Sequence, residues 1–167
     1  MKKTFGLAIL LLFTASAAFA GTATGNMNVT ATVTADCVVN SAADMAFGNL
    51  GIPFTINSVD ATTSAAINYT CTNSGVAPKI RLDQGLNPGV GSTDAAPVRR
   101  MISGGNYISY ALFTDAAHST PWINSAGGGV AGTADGAAHT VTAYGVATAA
   151  NVPAGAYSDQ VVVSVDF

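Results

Sequence analysis

The chain has 167 residues, only 9% of them charged; six Lys and Arg stand against nine acidic residues, all Asp, for a net charge of −3. Basic residues this few exclude a nucleic-acid-binding face and a polybasic membrane motif. Helices in water carry Glu, Lys, Arg and Leu on their faces, whereas this chain is rich in Thr, Ser, Ala, Gly and Val, so the composition points to an all-β fold.

The chain opens with the features of a secretory signal peptide. Lys2 and Lys3 precede an apolar run over residues 5–13, and Ala18-Phe19-Ala20 forms a small-x-small cleavage site. The run is shorter than the roughly 20 residues a membrane span needs. Residues 1–20 are therefore expected to be removed, leaving one domain with one core.

Residues 26–37 read NMNVTATVTADC. Met27, Val29, Ala31, Val33, Ala35 and Cys37 alternate with Asn26, Asn28, Thr30, Thr32, Thr34 and Asp36, a period of two that predicts a long strand. Residues 65–72 repeat the pattern, with Ile67, Tyr69 and Cys71 on one face. Residues 78–83 set Ile80 and Leu82 against Lys79, Arg81 and Asp83. Residues 107–113 place Ile108, Tyr110 and Leu112 together. Residues 140–146 are a further candidate, and residues 161–167 the last, with Val161, Val163, Val165 and Phe167 on one face. Turn signals fall between them at Asn73-Ser74-Gly75, Asn87-Pro88-Gly89, Gly104-Gly105-Asn106 and Pro153-Ala154-Gly155. Six or seven short strands joined in this way predict a sandwich, and the Gly/Ala-rich residues 125–138 predict a mobile loop.

Cys37 and Cys71 are the two cysteines of the chain. An exported chain with an even count predicts one disulfide. The spacing is not that of a C-x-x-C redox pair, and two His do not complete a metal site with them.

The motifs that could carry chemistry lack their context. GGGVAG at residues 127–132 satisfies G-x-G-x-x-G, but a turn follows it where a dinucleotide site needs a helix. Asp115, His118 and Ser119 are neighbours in sequence, with His139 further on, but no G-x-S-x-G elbow accompanies them. "FTDAAHSTPW" reads as a surface loop, with Trp122 as a lid at the end of the sandwich. Asn28 and Asn68 open N-x-T triplets inside alternating strands, where Asn and Thr face outward in any case. No catalytic, metal-ligating or cofactor-binding residue is assigned, and the chain is read as a non-enzyme.

The last predicted strand has no strand after it to pair with, which leaves an open edge beside a core. The charge-free alternation of residues 21–35 could serve as a spare strand for another copy, as in the strand addition of pilins. "MNVTATVTADC", "INYTCT", "YISYALFTDAAHSTPW" and the terminal "GAYSDQVVVSVDF" together resemble the spore coat protein U family, which includes subunits of archaic chaperone–usher pili. Tyr110, Asp115, Trp122, Gly155, Tyr157, Asp159 and Phe167 are the most specific matches.

The resemblance implies an incomplete immunoglobulin-like β-sandwich lacking its final strand and completed by donor-strand complementation. It divides the chain into a signal peptide (1–20), a donor segment (21–33) and a spore coat U-like pilin domain (34–167). The donor residues are then Met27, Val29, Ala31 and Val33. The edge offered to a chaperone or donor is Val161, Val163, Val165 and Phe167. The implied partners are a periplasmic chaperone, an outer-membrane usher and other copies of the chain or related pilins. No nucleic acid and no small-molecule cofactor is expected. The implied role is that of a subunit in a surface fibre exported through the periplasm and serving adhesion or biofilm formation. The alternative is a secreted monomeric coat protein or a carbohydrate- or surface-binding module.

Overall fold

The computed structural model describes residues 20–50, 60–73 and 75–167. The signal-peptide assignment falls outside them except for Ala20, and so does Ser74 of the first predicted turn. Residues up to Thr32 and the stretch Val33–Phe167 form separate units. In the first unit, residues 20–32 carry no regular secondary structure.

The second unit is all-β, with eight strands and no helix among the described residues: β1 (Cys37–Ala42), β2 (Ala61–Cys71), β3 (Lys79–Leu82), β4 (Arg99–Ser103), β5 (Asn106–Phe113), β6 (Val130–Ala131), β7 (Ala138–Ala147) and β8 (Val163–Asp166). They form a five-stranded sheet in the order β1-β2-β7-β5-β4 and a three-stranded sheet in the order β6-β3-β8. Every ladder is antiparallel.

The period-two faces are the buried faces. Ile67, Tyr69 and Cys71 of β2 and Ile108, Tyr110 and Leu112 of β5 meet Ile80 and Leu82 of β3 across the interior. Each such aliphatic or aromatic side chain contributes on the order of 1.5–3 kcal/mol by leaving water. Gly104 and Gly105, with φ of 53° and 84°, link β4 to β5 between the paired Ser103 and Asn106. Positive φ at both central residues is the requirement of the tight hairpin turn that matches strand twist.

The structure revises three expectations. The alternation of residues 26–36 is not a strand of this unit; the first strand begins at Cys37 and continues to Ala42. Alternation fixes which side chains share a face, but a strand also needs a partner, and β1 finds one in β2 only from Cys37 onward. Residues 125–138 are not wholly loop, because β6 pairs with β3 through Ile80 and Lys79. Trp122 is a fully buried core residue with no exposed surface, and its indole N–H donates to the Ile80 carbonyl at 3.1 Å.

A buried polar cluster joins the sheets. Arg99 is 2% exposed, and its guanidinium donates to the carbonyls of Leu82 (2.8 Å), Asp83 (2.7 Å) and Trp122 (3.1 Å). Burial pulls its pKa down, and the nearby Tyr110, Asp83 and Asp159 oppose that pull. Asp159 accepts from the Leu86 and Asn87 amides and the Asn87 side chain through Oδ1, and from the Tyr110 hydroxyl through Oδ2 at 2.7 Å. Asp83 Oδ1 accepts from the Gly85 and Val162 amides, both at 2.9 Å. Through these contacts the terminal segment crosses from one sheet to the other. Ser158 exchanges two backbone hydrogen bonds with Ile102 of β4, and Val163–Asp166 then pairs with β3.

Cys37 and Cys71 are directly opposed in the β1–β2 register and are joined by a disulfide across a Cα–Cα distance of 4.1 Å. Thiol titration of the unfolded, unreduced protein should find no reactive thiol, and two would refute the bond. Closing a loop with a sequence separation of 34 limits the unfolded chain by roughly 3–4 kcal/mol. Cys37→Ser should lower stability by that order in chemical denaturation.

A second expectation concerns alkaline pH. Burial first, then the hydrogen bond to Asp159 and that residue's negative charge, push the Tyr110 pKa well above the ordinary tyrosine value. The unfolded chain loses this proton near pH ~10, so the Tyr110 contribution is complete below that pH and falls as pH rises above it. Melting temperature should therefore drop more steeply above pH ~10 in the wild type than in Tyr110→Phe. Equal slopes would remove Tyr110 from the cause.

Candidate functional site

Strands β1 and β8 are edge strands of different sheets and lie beside each other with no ladder between them. Between them opens a groove of about 490 Å³. Its floor is the inner face of the five-stranded sheet, with Ala65, Ile67, Tyr110, Leu112 and Ala143. One wall is formed by residues 42–47 and the other by residues 157–163. Val161 and Val163 line it directly, and with Val165 they are half-buried against the core. Phe167 lies past the end of β8 and is 54% exposed, as is Val162 at 52%. On its inner edge β8 is bonded to β3 from Lys79↔Asp166 to Leu82↔Val163, and an Arg81–Asp166 ion pair at 2.5 Å reinforces that pairing. Among the described residues, no strand pairs with its other edge.

The floor is uneven for a reason visible in the sequence. On the inner faces of β2 and β7, small residues cluster toward one end: Ala61 opposite Ala147, Ala65 opposite Ala143, and Gly145 between them on β7. Bulky Ile67, Tyr69 and Cys71 occupy the other end of β2. The small-residue end is covered by Met45 and Phe47, which alternate along residues 43–50 and are half-buried. A Cβ on Gly145 would run into the Met45 sulfur and come within 3.0 Å of the Phe47 ring. Phe47 also packs against Tyr110, with ring centroids 6.2 Å apart.

In the other unit, Met27 and Val29 are 85% and 84% exposed, and Ala31 is exposed too. Val33, the fourth predicted donor residue and the first of the second unit, is 84% exposed. Four apolar positions at a spacing of two thus stand in water on the N-terminal side of β1.

The side chains of the catalysis-like motifs are engaged in local contacts. Asp115 accepts from the Ser119 amide and hydroxyl and from the Thr120 amide at 2.7 Å. These bonds, led by that of the Ser119 amide, hold its carboxyl below the usual range. The Ser119 hydroxyl therefore serves the loop, while His118 packs edge-on against Phe113 and Tyr144. His139 pairs with Asp135 at 2.8 Å. The glycines of residues 127–132 lead into and out of β6, not into a helix. Asn68 spends its side chain on Ser41 and Thr140 across two ladders. No group of three His, Cys, Asp or Glu among the described residues could hold a metal ion.

Sequence reasoning found the terminal strand and the exposed alternation, and it missed Met45 and Phe47. Their signal was present, since "DMAFG" places them two apart between exposed positions. It is too short to separate from a loop.

Among solved structures, a chaperone–tip adhesion subunit pre-assembly complex from the archaic chaperone–usher Csu pili of Acinetobacter baumannii is similar over 81% of this chain, at 20% identity and a TM-score of 0.48. The chain spans 40% of the length of that solved chain. Protein U of Myxococcus xanthus is 38% identical over 160 residues, covering 91% of this chain and 89% of the relative. Residues 23–164 match the Spore Coat Protein U domain, and with that coverage the chain belongs to the Spore Coat Protein U domain family.

Proposed function

We propose that this chain is a structural subunit of an extracellular fibre of the chaperone–usher kind, joined to its neighbours by donor-strand exchange. One observation carries the reading: the same chain holds an apolar groove with an unpaired strand edge and a water-exposed segment whose apolar residues repeat every second position. The segment provides Met27, Val29, Ala31 and Val33, and the groove of a second copy takes them beside β8.

The energetics suit a non-covalent joint. Moving exposed Met27, Val29 and Val33 into an apolar groove contributes roughly 1.5–3 kcal/mol each. Backbone bonds to the free edge of β8 add about 1 kcal/mol net apiece. Each joint is head-to-tail, so the assembly grows as an open filament. An open groove on a newly exported subunit is an aggregation hazard. A periplasmic chaperone that lends a strand to it, and an outer-membrane usher that exchanges that strand, answer the hazard. A structural role in adhesion or biofilm formation at the cell surface follows from such a fibre and requires no catalysis.

The register makes this testable. The period of two keeps all four anchors in phase, and a slip of one residue turns every anchor outward. A charge at an anchor would be buried unpaired at a cost of several kcal/mol. Val29→Asp should abolish polymerisation while leaving the molecule able to accept a wild-type donor. Thr30→Asp, on the opposite face, should polymerise. Fibre yield by sedimentation and electron microscopy, for each variant alone and mixed with wild type, decides the matter. Equal yields would refute the donor assignment, and a wild type that stays monomeric would favour a secreted coat or surface-binding module.

A further inference from the structure

We propose that residues 43–50 are a resident placeholder: Met45 and Phe47 occupy the small-residue end of the groove in the free subunit and give it up when a donor strand enters. The inference rests on the donor-strand reading and adds a step to it.

Three observations support the proposal. First, Met45 and Phe47 line the groove, Phe47 packs on Tyr110 of its floor, and both lie over Gly145 of the same sheet, whose missing side chain makes the room. Gly145 has no unusual backbone conformation that would call for glycine, so close approach is the reason left for it. Second, the segment is lightly held among the described residues. The β1–β2 ladder ends at Ala42↔Ile67, one further backbone bond joins Ala43 N to the Ala66 carbonyl at 2.9 Å, and residues 44–50 belong to no strand. Third, Met45 and Phe47 share the donor's own spacing of two, and both are only half-buried. They offer the floor the kind of cover that Met27 and Val29 would offer.

The physical consequence is competition for one surface. An apolar floor left bare costs free energy in proportion to its area, so a subunit that covers its own floor is protected from non-specific association. A donor then binds only the fraction of molecules with the segment lifted, and its apparent affinity falls by that fraction. The exchange is nearly balanced, since one set of apolar contacts replaces another, and the donor's added backbone bonds to β8 decide its direction.

The test uses the chain carrying Val29→Asp, which cannot donate, and a labelled synthetic peptide of residues 21–36 as the donor probe. Adding Met45→Ala and Phe47→Ala should tighten peptide binding about tenfold, read by fluorescence anisotropy. Unchanged or weaker binding would overturn the placeholder. Should the double alanine variant fail to fold, Phe47→Trp in the same parent gives the answer. The peptide contains no aromatic residue, so any change in emission comes from the subunit. Emission should move to the red on peptide addition as Trp leaves the groove, and no shift or a blue shift would overturn the proposal. If the parent itself does not bind the peptide, the donor-strand reading fails and the placeholder with it. If the parent binds but neither variant responds as stated, only the placeholder fails.

Discussion

The carboxylate of Asp159 is the point on which the two sheets are assembled. One oxygen gathers the Leu86 and Asn87 amides of the loop after β3, and the other takes the hydroxyl of Tyr110 from the middle of β5. Immediately before it, Ser158 is paired with β4; four residues later the chain has become a strand of the opposite sheet. This fixed crossing delivers the chain to the edge of β3, where β8 pairs and the groove opens beside it. Arg99 does related work from below, tying the carbonyls of Leu82, Asp83 and Trp122 to β4. A buried guanidinium is costly unless its donors are satisfied, and here they meet the carbonyls of Leu82, Asp83 and Trp122.

Much of this fold can be read from alternation, because a strand with one face in a core and one in water must alternate. That is why Ile67, Tyr69, Ile80, Leu82, Ile108, Tyr110 and Leu112 are assigned to the interior from sequence and are found there. Strand β4 escapes such reading because Arg99-Arg100 opens it with two charges in succession, and the charge that points inward is a core residue. Strand β6 is two residues long, too short for any period to register. Strand β1 is hidden for the opposite reason. The alternation runs without a break from the exposed segment through Cys37, and nothing local marks where pairing starts.

The candidate site divides along the same line. Its edge and the exposed apolar residues are periodic and therefore legible. Its floor depends on which residues of β2 and β7 stand opposite each other, and on a chain segment arriving from elsewhere. A glycine at position 145 in a strand reads as a weakness until Met45 and Phe47 are seen above it. The tethers of Asp159 span 49 and more residues, a separation over which sequence pattern carries no signal.

The position of the disulfide has a mechanical side. Cys37 is the first residue of β1, so a pull applied to residues 21–36 from outside reaches the domain at its cross-link. The neighbouring pair is also bonded, with Asp36 exchanging backbone and side-chain contacts with Thr72. Tension entering there passes through a covalent bond into β2, which is paired along its length with β7. Strand β1 is thereby removed from the load path: it cannot be peeled from its end one hydrogen bond at a time, and rupture would require shearing the β2–β7 ladder.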